Sequence, residues 1–291
     1  MTPTTQPEIY WWLQQLESLK SDRQCTSPQF LRPFHFVTLA IALKTQPVGN
    51  VRLPDHLMTY AARMRLWEAI GRQPPVSVNE HDASGRFVPI EALRSRDDVH
   101  ACSARVAAVA RNSKLSSNGI ESLSTALSEL IDNCYAHADL HVDQLQGLAC
   151  AQYWQRGNLL QVAIADAGKG IKANMLEADT QPIRERASTS NACALATELG
   201  VSSKLGSGDH AGYGLALARQ LADLNGGTLL VWSGSEWFHS HNGQTTEGDS
   251  SISWRGTLVV AEFVTDNQLS AQSVYSTWPA VRGYSDDDFD F

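Results

Sequence analysis

The chain has 291 residues, a hydrophobic fraction of 43% and a formal net charge of −8. No apolar run approaches the roughly 20 residues that a bilayer-spanning helix needs, and the N-terminus lacks the basic start of a signal peptide. We therefore expect a cytoplasmic protein that does not enter a membrane. The acidic balance disfavours direct nucleic-acid binding, which normally requires a basic surface. The five cysteines are scattered and predict neither a C-x-x-C site nor a disulfide framework.

The first part of the chain, residues 1–90, is predicted to be a small α/β domain. Residues 28–45 and 57–71 have the apolar periodicity of helices, and the short run 50–56 between them is typical of a strand. The stretch 72–87 is rich in Pro, Asn, Asp, Ser and Gly, which predicts a linker.

The second part, residues 91–268, alternates helical and strand-like patterns. Asn118 and Glu121 resemble a capping box at the start of a helix, and the segment 171–211 is long and irregular. This order predicts an α+β sandwich, a mixed sheet with helices on one face, and then a flexible acidic tail over 269–291. The further predicted elements are a helix at 101–111, strands at 147–155 and 158–166, a helix at 214–227, and strands at 228–235 and 257–264.

The predicted helix ALSELIDNCYAHAD, residues 126–139, carries an unusual polar face. Glu129 and Asn133 lie one turn apart and away from the leucine stripe, although Asn is a poor residue for a helix interior. A carboxylate and an amide oxygen at this spacing suit the orientation of a water molecule and the binding of Mg²⁺. A merely solvated polar face would give the same pattern.

A second polar group ends an apolar strand, in the stretch VAIADAGKGI. Asp166 terminates the strand, and Gly168 and Gly170 follow it. A carboxylate in this place can accept a hydrogen bond from an exocyclic amino group, and glycines allow the backbone to approach a planar ring. An ordinary strand-to-turn sequence is the alternative explanation.

A glycine-rich loop precedes the helix that begins near residue 214. Gly206, Gly208, Gly212 and Gly214 place free backbone N–H groups and the positive end of a helix dipole where an anion can bind. The spacing is not that of a Walker-type P-loop. A flexible loop without a ligand would also be rich in glycine.

Taken together and in this order, the three stretches resemble the GHKL superfamily of ATPases, which includes gyrase, a heat-shock chaperone, histidine kinases and mismatch-repair proteins. The resemblance covers residues from about 100 to 265 and implies that ATP and Mg²⁺ are the ligands. By this resemblance Glu129 is the catalytic base, Asn133 binds Mg²⁺, and His137 lies on the phosphate side. Asp166 recognises adenine beside Gly168 and Gly170, and Thr257 helps to hold the same base. The second glycine box consists of Gly212, Tyr213 and Gly214.

Within that superfamily, the compact boxes most resemble the anti-sigma-factor serine kinase branch. No phosphoacceptor motif of a usual histidine kinase precedes residue 120. Residues 28–71 faintly resemble a STAS domain, with Arg32 and Pro33 in place of the Asp-Ser acceptor pair. The resemblance implies a regulatory protein partner and a possible homodimer. The expected function is ATP hydrolysis or phosphorylation of that partner; an ATP-gated binding module without turnover and an unorthodox histidine kinase are the alternatives.

Overall fold

The structure is a computed structural model that describes residues 2–22, 26–45, 53–77, 85–137, 147–202 and 212–279. Its strands are β1 (Phe87–Leu93), β2 (Gly147–Trp154), β3 (Leu159–Ala165), β4 (Thr228–His241) and β5 (Gln244–Val264). Its helices are α1 (Gln6–Asp22), α2 (Pro33–Thr45), α3 (Asp55–Arg63), α4 (Leu66–Ala69), α5 (Arg96–Ala110), α6 (Ser117–His137), α7 (Ile171–Leu176), α8 (Gln181–Thr189), α9 (Ala192–Leu195), α10 (Gly214–Asn225) and α11 (Ala271–Tyr275).

The five strands form one sheet in the order β1-β2-β3-β5-β4. All seven residues of β3 are buried, because the strand lies in the middle of the sheet and is covered on both faces; this burial explains its nearly continuous apolar sequence. The predicted α+β class is confirmed. The predicted mixed sheet is corrected, since every neighbouring pair is antiparallel.

The strand β4 does not run straight. Its last residue, His241, has Nδ1 only 3.0 Å from Oγ1 of its first residue, Thr228, whereas an extended segment of this length would span about 40 Å. The strand therefore reverses near Gly234, whose φ of +60° belongs to the left-handed region that glycine adopts easily. The strand predicted over residues 228–235 ends close to this reversal, and the sequence pattern missed the remainder of β4.

The helices α5, α6 and α10 cover one face of the sheet. The apolar stripe of α6, which includes Leu123, Leu127 and Leu130, packs in one core with Leu217 and Leu221 of α10. Ser116 caps α6, since its Oγ accepts a hydrogen bond from Gly119 N–H at 3.1 Å. The predicted cap at Asn118 is therefore two residues too late.

The N-terminal helices cover the opposite face of the sheet, whereas the prediction of helices on one face concerned residues 91–268 alone. Trp12 of α1 and Phe34 of α2 belong to a second core that also contains Trp232 and Val260 from the strands. The first ten residues of α2 are all buried. A helix surrounded in this way shows no amphipathic pattern, and for that reason its place between α1 and the sheet was not visible in the sequence.

The strand predicted over residues 50–56 is not found in the part of it that the structure describes. Leu53 and Pro54 lead directly into α3, and the described residues before β1 form helices and loops only. A STAS-like arrangement is therefore not confirmed. The domain boundary near residue 90 stays a prediction, although β1, which begins at Phe87, pairs with β2 of the central sheet.

A buried polar network fastens the N-terminal segment to the sheet. Thr4 donates to the carboxylate of Glu262 through its backbone N–H at 2.9 Å and its hydroxyl at 2.6 Å. The guanidinium of Arg32 donates to Oγ1 of Thr4 at 2.9 Å and lies 3.7 Å from Oε1 of Glu262. Arg32, which stands at the place of the expected acceptor pair, therefore has a structural partner.

Two segments are more ordered than their sequence predicts. The long segment from 171 contains three short helices, α7, α8 and α9, before residue 196. Residues 269–279, predicted as the start of a flexible tail, include α11 and bury Leu269 and Val274 in the core; for them the prediction is wrong. The rest of the predicted tail, 280–291, lies outside the described residues.

Among the described residues, none of the helices combines the length and the apolar character needed to cross a bilayer.

Candidate functional site

A pocket opens where α6, α7 and the start of α10 meet the sheet at β3 and β5. It encloses about 750 Å³, including the part open to solvent. Its walls are mostly apolar, with polar groups at separate points, as is usual for sites that bind a small organic molecule. The apolar lining comprises Leu130, Ile164, Ile171, Met175, Ala196, Val201, Leu215 and Val259, and the remaining lining residues are Asn133, Asp166, Asn174, Ser202, Gly212, Gly214 and Thr257.

The carboxylate of Asp166 is held rigidly at one end of this pocket. The residue follows β3 directly and is only 4% exposed. Its Oδ1 accepts a hydrogen bond from Gly168 N–H at 2.7 Å, and its carboxyl group is also hydrogen-bonded to the backbone and side chain of Thr257. Its own N–H donates to the carbonyl of Thr257 at 2.9 Å. The two residues therefore fix each other.

Burial raises the pKa of Asp166 to about 7, and the hydrogen bonds from Gly168 and Thr257 oppose this increase only partly. Desolvation disfavours the charged carboxylate, whereas N–H and O–H donors favour it. The group therefore titrates close to neutral pH. When ionised, it offers the pocket an acceptor with little freedom to move.

The backbone around Asp166 leaves no room for extra atoms. A Cβ atom on Gly256 would lie 2.3 Å from the carbonyl oxygen of Asp166, and one on Gly170 would lie 2.7 Å from Oγ of Ser233. Ser233 ties these segments together, because its hydroxyl donates to Gly256 O at 2.7 Å and accepts from Ile171 N–H at 2.8 Å. The turn after β3 is thereby pressed against β5.

The opposite end of the pocket is formed by Gly214, the first residue of α10. A Cβ atom on Gly214 would lie 2.6 Å from Nδ2 of Asn133 and 3.2 Å from Oε2 of Glu129. The first turn of a 12-residue helix carries N–H groups without helical partners and the positive end of the helix dipole. The structure therefore places a helix N-terminus, a feature that can bind anions, directly beside the polar face of α6.

Glu129 is exposed and lies at the rim of the pocket, not in its lining. Its carboxylate is close enough to Tyr275 to raise the pKa of that phenol, in addition to the larger effect of burial. Trp278 packs against Tyr213 with ring centroids 5.2 Å apart. Residues of the C-terminal segment thus lie against the glycine end of the pocket.

The remaining predicted residues at the glycine end are only partly described by the structure. Gly212 has a φ of +76°, and a Cβ atom there would lie 2.7 Å from the carbonyl carbon of Val201. Gly206 and Gly208 lie outside the described residues. His137 is the last residue of α6, and its side chain also lies outside the described part, so its predicted role stays a prediction.

The sequence reasoning missed several residues of the site. Asn174 and Ser202 line the pocket, but neither belongs to a spaced motif. Ser233, Trp254 and Gly256 support the backbone around Asp166. Trp254 and Gly256 lie in the same Trp-Arg-Gly-Thr run as the predicted Thr257, whereas Ser233 lies in β4, outside every predicted motif. Of the predicted residues, Asn133, Asp166, Gly212, Gly214 and Thr257 line one pocket, whereas Glu129, Gly168, Gly170 and Tyr213 are not among its lining residues. The chemical roles of all of them stay predictions.

The donor set of the pocket fits a magnesium ion that is shared with a ligand. No group of three or more His, Cys, Asp or Glu side chains that could hold a metal occurs among the described residues. Mg²⁺ is commonly bound by one or two protein oxygens, with the remaining positions taken by water and phosphate oxygens. Asn133, whose amide group lies beside the glycine end, can supply one such oxygen.

Residues 94–225 match the family model described as histidine kinase-like ATPase domain. The matched region includes Glu129, Asn133, Asp166 and Gly214, and it ends before Thr257. A comparison of the chain with curated proteins gave no match.

Proposed function

We propose, on the premise that residues 94–225 match a histidine kinase-like ATPase domain, that the protein binds ATP with Mg²⁺ and acts on a regulatory protein partner. The action is either ATP hydrolysis, which switches the surface offered to the partner, or transfer of the γ-phosphoryl group to that partner. An ATP-gated binding module without turnover is the alternative, and the experiments below separate it.

One observation carries the proposal: a single pocket has a rigid buried carboxylate at one end and a helix N-terminus beside an amide at the other. Asp166 and Thr257 supply the first end, and Asn133 and Gly214 supply the second. An adenine nucleotide has matching chemistry, with an amino group on the base and negative charge on the phosphates. The apolar walls between the two ends suit the faces of a purine ring.

At the carboxylate end, Asp166 accepts a hydrogen bond from the amino group of adenine. The Thr257 hydroxyl and Gly168 N–H hold the carboxylate in place, so little conformational freedom is lost on binding. A guanine base carries a carbonyl oxygen at the same position. An ionised Asp166 would face that oxygen without a proton between them, which disfavours GTP.

At the glycine end, the first N–H groups of α10 and the amide of Asn133 face the phosphates. When bound, Mg²⁺ supplies charge neutralisation of the phosphate oxygens. Glu129, exposed at the rim, can contact a water molecule or a partner's hydroxyl group and accept its proton. Its exposure fits both hydrolysis and transfer, because either nucleophile has to enter from solvent.

Binding is tested first, by calorimetry with ATP, ADP and GTP in the presence of Mg²⁺. We expect ATP and ADP to bind, GTP to bind at least about 10-fold more weakly, and Asp166→Asn to abolish binding. Asp97→Asn, which changes an exposed residue in the first turn of α5, serves as the matched control and should bind normally. Absence of heat with adenine nucleotides would overturn the proposal.

The destination of the phosphate is tested next, with γ-labelled ATP and candidate partner proteins from neighbouring genes. Release of labelled phosphate indicates an ATPase, and acid-stable label on a partner indicates a serine or threonine kinase. Acid-labile label indicates phosphohistidine. Binding without any of these products, in the presence of the partner, would replace the enzyme proposal with the binding module.

A further inference from the structure

The carboxylate end of the pocket is connected to the core on the opposite face of the sheet through one side chain. Trp254 lies in β5 three residues before Thr257, and it is 7% exposed. Its indole Nε1–H donates a hydrogen bond to the backbone carbonyl of Asp166 at 3.1 Å. The ring itself belongs to the core that α1 and α2 form with the sheet.

The backbone carbonyl of Asp166, which accepts this hydrogen bond, has little space in which to change its position. The neighbouring Gly256 approaches the same oxygen so closely that a Cβ atom there would lie 2.3 Å away. The peptide of Asp166 is therefore confined by Gly256 on one side and by the indole on another. A buried carbonyl that loses its hydrogen-bond donor is destabilised, because its polar oxygen is left unsatisfied. We therefore expect the peptide of Asp166 to shift toward another donor when the indole is removed.

We propose that Trp254 is a positioning residue for Asp166: it fixes the peptide of that residue so that the carboxylate faces the amino group of adenine. The inference rests on the proposed nucleotide-binding function. Trp254 does not line the pocket, so its effect passes through Asp166.

The test compares Trp254→Phe with Trp232→Phe. Trp232 is fully buried, lies in the same core, and has an indole nitrogen without a hydrogen-bond partner among the described residues. Both substitutions remove the same atoms from the same core, but only the first removes a donor from Asp166. Thermal unfolding of the two variants measures the cost of the smaller ring, and binding is measured well below both unfolding temperatures.

The probes are ATP and purine riboside triphosphate, which lacks the exocyclic amino group. For Trp254→Phe we expect the Kd for ATP to rise about 3- to 10-fold, the range that one net hydrogen bond gives, and the Kd for purine riboside triphosphate to stay unchanged. Trp232→Phe should change neither value.

Two results would overturn the inference. One is an equal loss of both nucleotides in Trp254→Phe, since a general loosening of the pocket does not select for the amino group. The other is an unchanged Kd for ATP in a folded Trp254→Phe protein whose parent binds ATP through Asp166. Failure of the parent protein to bind ATP is a different result, and it would remove the proposed function itself.

Discussion

A Cβ atom on Gly214 would lie 2.6 Å from Nδ2 of Asn133, a distance that real Cβ contacts essentially never show. The start of α10 and the polar face of α6 are thus in contact only because residue 214 has no side chain. Glu129 lies on the same side, with its Cβ 3.0 Å from the added atom. The glycine end of the pocket therefore depends on this single position.

For Gly214→Ala we expect ATP affinity to fall at least about 10-fold, a loss of roughly 1.4 kcal/mol, because Asn133 and the helix terminus have to separate. Gly119→Ala is the matched control. Gly119 also lies in the first turn of a helix, where an added Cβ would meet ordinary contacts at 3.4 Å or more. Calorimetry should show normal affinity for Gly119→Ala, and equal behaviour of both variants would contradict the close contact.

Asn133→Ala should remove the dependence of ATP binding on magnesium. In the wild-type protein we expect tighter binding with Mg²⁺ than with EDTA, because the amide oxygen of Asn133 completes the shell of a phosphate-bound ion. In the variant the two Kd values should converge. Asn118→Ala alters an exposed residue of the same helix and should retain the difference. A full magnesium effect in Asn133→Ala would assign the ligand elsewhere.

Glu129→Gln should separate binding from turnover. A glutamine keeps the shape of the side chain but cannot accept a proton, and loss of a general base costs about 10²- to 10⁴-fold in rate. We expect kcat to fall in that range while the Kd for ATP changes less than about 3-fold, since Glu129 lies at the rim of the pocket. Glu121→Gln, an exposed change two turns earlier on α6, is the control. Phosphate release at the wild-type rate would exclude Glu129 as the base.

Asp166→Asn should change the pH dependence of stability in the absence of nucleotide. The folded-state pKa of Asp166 is raised from 3.8 to about 7, so between these values the folded protein binds a proton that the unfolded chain has lost. Wild-type stability then falls by about 1.4 kcal/mol per pH unit across this window because of this group. The variant lacks the group and should escape this loss.

The measurement is denaturant unfolding of both proteins from pH 4 to 8. The difference in free energy of unfolding, variant minus wild type, should increase with pH up to about 7 and then level off. The exposed Asp97→Asn variant should show no such increase. A constant difference for Asp166→Asn would mean that Asp166 does not titrate in this range.

The residues of the site that could be predicted are those fixed by local backbone geometry. Asp166 follows a buried strand, Gly214 begins a helix, and Glu129 and Asn133 share a helix face, so the spacing along the chain determined their relation to each element. Trp254 could not be predicted in this way. It meets Asp166 across 88 positions of sequence, and a tryptophan in an apolar strand gives no sign of which carbonyl it will contact.

In the fold, too, local features could be predicted from the sequence and long-range contacts could not. The stripe of leucines in α6 predicted a helix with one buried face, and the structure confirms this prediction. The α2 helix is apolar all round, so its sequence could not show which surface meets the sheet. The contact of Thr4 with Glu262 joins residues 258 positions apart. Such pairings depend on the assembled tertiary structure, and no periodicity in the chain encodes them.

The network around Arg32 provides the last prediction. Glu262 is fully buried and Arg32 is nearly so, and removing one partner of a buried ion pair typically costs on the order of 3 kcal/mol. Glu262→Gln should therefore lower the free energy of unfolding by about this amount. Glu198→Gln, which breaks the half-exposed pair with Arg186, should cost less than about 1 kcal/mol. Urea unfolding measures both. Because the network lies away from the pocket lining, the Kd for ATP should change less than about 2-fold in either variant. Equal stability of the two variants would show that the Arg32 network does not fasten the N-terminal segment.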